Sequence, residues 1–62
     1  MVHNKHDTLG NVIKDARQRS NLTMEELAER VQVTPRYLYR IENEGKKPSY
    51  EILFALIREL SI

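Results

Sequence analysis

Apolar residues along the chain recur at helical spacing, and nowhere do they alternate as in a strand. Leu9, Val12, Ile13 and Ala16 sit at i, i+3, i+4 and i+7, which predicts a first helix over about 9–20. Asn21 follows, the best residue after Gly for a left-handed helix stop. Thr23 with Glu26 three residues on forms a capping box, and Leu22 with Leu27 a hydrophobic staple. A second helix therefore starts at Thr23, buries Leu27, Ala28 and Val31, and ends near Val31. Thr34 then caps a third helix with Pro35 at its first position, where a missing N–H costs nothing. Val33 and Leu38 make a second staple, Leu38 and Ile41 point inward, and the helix stops before Gly45. Ser49 caps a fourth helix with a broad apolar face of Ile52, Leu53, Leu56, Ile57 and Leu60.

Length changes this picture by limiting it to one domain: 62 residues bury only about 60% of their unfolded surface. No cysteine is present, which excludes disulfides and thiolate zinc sites. No apolar run approaches the roughly 20 residues that span a bilayer. The start, MVHNKHDT, lacks the apolar stretch of a signal peptide, so a cytoplasmic protein is expected. Net charge is only +1, but it is segmental. Residues 33–49 hold four Lys/Arg against two Glu, whereas residues 23–32 hold one Arg against three Glu. Segmental charge makes a basic face without a high isoelectric point.

Two helices joined by about three residues must cross steeply, which is the geometry of a helix-turn-helix spanning about 23–44. With Leu38 and Ile41 inward, the third helix exposes Pro35, Arg36, Tyr39, Arg40 and Asn43. Arg36 and Arg40 share one face, four residues apart. A lone helix fits the major groove, and Arg reads guanine O6 and N7 with two hydrogen bonds. The helix N-terminus also suits phosphate.

The run Leu22 to Val31, LTMEELAERV, together with Val33 to Asn43, VTPRYLYRIEN, and the connector Gly45 to Ser49, GKKPS, resembles the phage-repressor-like helix-turn-helix family, the Cro/C1 or XRE type. The resemblance covers roughly residues 9–60. It implies an all-α, compact four-helix lambda-repressor-like DNA-binding domain with a helix-turn-helix, or a five-helix one truncated at Ile62. It also implies a transcriptional regulator of bacteria or phages, a repressor of promoters that binds double-stranded DNA as a homodimer without a cofactor. Base readout falls on Thr34, Pro35, Arg36, Tyr39 and Arg40. Backbone contact falls on Met24, Tyr37, Asn43, Lys46 and Lys47. Arg17 and Glu42 match the positions of a structural salt bridge that fixes the recognition helix.

This sequence departs from the family pattern at two internal positions. Met24 stands where a Gln usually touches phosphate, leaving only backbone N–H groups to do so. Gln32 stands where Gly usually takes the left-handed turn, so either the strain is tolerated or the turn differs.

Residues 1–8 read as an N-terminal arm ahead of the domain at 9–62. Lys5 makes the arm a candidate for tracking along a DNA groove, against plain disorder. His3, His6 and Asp7 lack a helical pattern and a fourth ligand, so no metal is expected. No nucleophile elbow, phosphate loop or zinc-protease motif is present, and no enzyme activity is expected. Tyr50 and Phe54 are either ordinary core or, if exposed, a partner surface with Leu60 and Ile62. An alternative reading is an antitoxin or adaptor module binding a protein through that surface. A third is a dimerisation domain with no DNA role.

Overall fold

A computed structural model describes residues 8–62, which form four helices: α1 (Leu9–Arg19), α2 (Met24–Arg30), α3 (Pro35–Asn43) and α4 (Tyr50–Leu60). No strand occurs among the described residues. The arm readings on Lys5 and on His3, His6 and Asp7 lie outside the described residues. Among the described residues, no helix is long and apolar enough to cross a membrane.

Each helix begins at a hydroxyl cap. Thr8, Thr23, Thr34 and Ser49 accept from the backbone N–H of Asn11, Glu26, Tyr37 and Ile52 respectively. Such caps satisfy one of the donors a helix start leaves unpaired. Thr8, the last residue of the stretch read as an arm, supplies the cap of α1.

The ends are set by left-handed residues. Asn21 has φ 58° and Gln32 φ 62°. Leu22 N donates to Arg17 O at 3.1 Å, and Val33 N to Ala28 O at 2.9 Å, the long-range bonds of Schellman turns. The turn between α2 and α3 thus keeps the geometry usually given to Gly, with Gln32 carrying the strain of about 1–2 kcal/mol. Gly45, at φ 70°, closes the end of α3.

The core gathers Ile13 and Ala16 from α1, Leu27 and Ala28 from α2, Val31 from the turn, Leu38 and Ile41 from α3, and Leu56 and Leu60 from α4. Leu22, Met24, Val33, Tyr37, Ile52 and Ala55 pack against it. The apolar face expected on α4 divides. Leu56 and Leu60 are buried, while Leu53 and Ile57 are half-buried and lie outside the cluster. Leu60, at 6% exposure, is core and cannot belong to a partner surface. Leu9, by contrast, is exposed despite its place in the α1 period.

Candidate nucleic-acid interface

The chemistry-bearing surface is built on α3. Leu38 and Ile41 anchor the helix from beneath, and Thr34 and Pro35 fix its start. The remaining positions, Thr34, Pro35, Arg36, Tyr39, Arg40 and Asn43, are all exposed. Arg36 makes no hydrogen bond or ion pair within the described residues. Arg40 is different: its Nε lies 3.3 Å from Glu44 Oε1, one turn further on. Exposed pairs at this spacing contribute only about 0.3–0.5 kcal/mol, so Arg40 is loosely held.

The buried side of α3 carries one charge. Glu42 has its side chain wholly buried, and Arg17 of α1 is 12% exposed. Arg17 Nε donates to Glu42 Oε2 at 2.9 Å and Nη2 to Oε1 at 3.2 Å, a two-pronged pair. The third guanidinium nitrogen, Nη1, donates to the Leu22 carbonyl at 2.9 Å. One side chain therefore ties α1, the α1–α2 turn and α3 together. It also neutralises the carboxylate that would otherwise weaken the positive character of α3.

The connector Gly45–Ser49 lies beside the C-terminal end of α3. Lys46 N donates to Arg40 O at 3.2 Å, and Lys46 Nζ sits 5.4 Å from the centroid of the Tyr37 ring. That cation–π contact seats the connector against half-buried Tyr37. Lys47 is exposed. Asn43 is committed internally, for Lys14 Nζ donates to its Oδ1 at 2.7 Å and its Nδ2 donates to Tyr39 O at 3.2 Å.

Met24 stands apart from this group. Its side chain packs on the core, so only backbone N–H groups are on offer at the start of α2. Glu25 and Glu26 share that first turn and make it a poor place for phosphate. Thr23 N donates to Glu26 Oε1 at 2.8 Å, and this bond, with the one from the Thr23 side chain, lowers the Glu26 pKa below its ordinary 4.5.

Two positions were not legible as part of the site. Lys14 adds a cation at the Asn43 edge of α3. Gly10 lets α1 approach α3, since a Cβ there would lie 2.5 Å from the Ile41 carbonyl oxygen. Gly10, Lys14 and Arg17 share one face of α1, at i, i+4 and i+7, and a polar stripe at helical spacing was the available signal.

A profile of the helix-turn-helix family matches residues 13–62. The chain belongs to the Cro/C1-type helix-turn-helix family, the XRE family. Comparison with curated proteins finds no match. As a member of this DNA-binding family, the helix-turn-helix chain binds double-stranded DNA, and α2 and α3 are its helix-turn-helix pair. In helix-turn-helix proteins generally, the second helix of such a pair enters the major groove.

Proposed function

We propose that this helix-turn-helix protein is a sequence-reading transcriptional repressor that acts as a homodimer in the cytoplasm. α3 lies in the major groove. Arg36 reads guanine, Tyr39 and Arg40 extend the readout, and Thr34 and Pro35 contact bases at the helix start. Lys46, Lys47 and Lys14 hold the phosphate backbone by charge, and Tyr37 contributes its hydroxyl. Met24 adds at most a backbone N–H contact. Asn43 orients Lys14 and touches backbone only by exchanging its internal bonds.

The observation that carries this reading is the contrast across α3. Its inner side is fixed by the core and by the Arg17–Glu42 pair, while its outer side presents Arg36, exposed and unpaired among the described residues. A rigid helix with a free guanidinium gives base contacts of fixed register. Base contacts specify sequence, whereas phosphate contacts only position the protein.

Selection from a randomised duplex pool, followed by titration of the winner at several salt concentrations, tests the proposal. The expected result is an enriched palindrome with half-sites about 34 Å apart and affinity falling steeply with salt. Absence of enrichment, with weak binding at low salt alone, overturns sequence reading.

A further inference from the structure

On α4, Tyr50 and Phe54 are exposed, and the half-buried Leu53 and Ile57 beside them lie outside the core cluster. Tyr50 is 79% exposed and Phe54 60%, and their rings stack with centroids 6.3 Å apart. An exposed cluster of this kind marks an interaction surface. At about 3.6 residues per turn, Phe54 points away from Ile52, Leu56 and Leu60. Tyr50 and Ile57 flank it on one side, and Glu51 and Arg58 flank it on the other. Neither Glu51 nor Arg58 forms an ion pair within the described residues.

We infer that this face of α4 binds the same face of a second copy of the chain, the two helices running antiparallel with Phe54 near the two-fold axis. The inference rests on the homodimer of the proposed function and gives it a surface. The flanks supply the argument, because they are self-complementary under that one symmetry. An antiparallel pairing centred on Phe54 sets Tyr50 beside Ile57 of the second copy. On the opposite flank it sets Glu51 beside Arg58 of the second copy, and the symmetry repeats both contacts. Isologous interfaces require this reciprocity. A parallel pairing would instead set the Glu51–Arg58 flank against the Tyr50–Ile57 flank of the second copy, leaving both charges without an opposite charge across the seam. The stacked aromatic pair supplies the large, stiff apolar area that dominates interface energetics.

Sedimentation of the full chain over a range of concentrations tests this, with circular dichroism confirming that each variant stays helical. Phe54 and Tyr50 are exposed, so Phe54→Asp and Tyr50→Glu leave the core intact. Wild type is expected to show a monomer–dimer equilibrium, and either variant to weaken it by about ten-fold or more. Glu51→Arg and Arg58→Glu each weaken it, and the two combined restore it. A wild-type monomer at every concentration overturns the inference, whatever other protein the surface captures. So does a dimer indifferent to Phe54→Asp, or a double swap as weak as either single. Duplex selection with the same proteins separates the two proposals. A monomeric Phe54→Asp chain that still prefers its half-site sequence keeps the DNA reading. A chain that dimerises normally but selects no sequence removes that reading alone.

Discussion

Arg17 reaches across from α1 and grips both oxygens of Glu42, whose carboxylate is sealed from solvent beneath the recognition helix. A buried pair of this kind is weak support for stability as such, because desolvation of the two charges offsets their attraction. Its breakage is costly, since one charge is then left buried alone. Arg17→Ala is expected to destabilise the protein by about 3–5 kcal/mol. For so small a domain that is most of the total. The double variant Arg17→Met with Glu42→Leu should recover most of the loss. Urea unfolding measures both, and an Arg17→Ala cost under about 1 kcal/mol would show that the pair does not hold α3.

Gly10 makes the opposite point about α1. Ala in a helix interior is ordinarily better than Gly by about 1 kcal/mol. Here a Cβ would stand 2.5 Å from Ile41 O and 2.8 Å from Glu42 O, and both are backbone atoms with little room to yield. Overpacking of this sort costs about 1–3 kcal/mol. Gly10→Ala should therefore lower Tm and weaken DNA binding together, because α1 and α3 must part. A raised Tm would mean that the helices are not in such close approach.

Gln32→Gly should do the reverse. The position already has φ 62°, where a side chain is strained and Gly is not. Part of the gain is returned as backbone entropy in the unfolded chain, so the net stabilisation is up to about 1 kcal/mol. Thermal unfolding decides it, and a loss of stability would show that the Gln32 side chain contributes more than the strain removes.

Much of this architecture is written locally. The capping box and staple of α2, and the Thr34 cap, Pro35 and staple of α3, set the two starts within the sequence itself, and Asn21 and Gly45 marked two ends. Arg17 and Glu42 came from the family resemblance, since nothing local pairs residues 25 positions apart. Leu60 and Phe54 show what a helical period leaves open. Both are apolar on α4, but Leu60 lies a turn beyond Leu56 on the core side while Phe54 lies opposite, and only the packing of α1 against α4 selects which stripe is covered. Gly10 and Lys14 were passed over because their roles exist only against α3.

Acid should act through the α2 capping box. The bonds from Thr23 hold the Glu26 pKa below 4.5, so the folded state keeps this carboxylate ionised to lower pH than the unfolded chain does. Its contribution is complete above 4.5 and is lost as pH falls through the lowered value. Glu26→Gln should remove that component, giving a flatter stability–pH profile below 4.5 than wild type shows. Denaturant midpoints at a series of acidic pH values make the comparison. Identical slopes for the two proteins would place the acid sensitivity elsewhere.

The outer face of α3 and the connector should fail differently when cut back. Arg36 has no partner among the described residues to release, and Arg36→Ala should cost about 1–3 kcal/mol on the best site and relax preference at one base pair. Lys46 Nζ lies over the Tyr37 ring and is drawn to any phosphate nearby. Lys46→Ala should weaken all sequences alike and reduce the salt slope by about 1. Arg40 lies between these cases, because Glu44 holds it until DNA competes. Opening that pair costs about 0.5 kcal/mol or less, so Glu44→Gln should raise affinity only modestly. Titrating the three variants against the selected duplex and a scrambled one separates the roles. Equal losses for Arg36→Ala and Lys46→Ala on both duplexes would reduce Arg36 to one more phosphate contact.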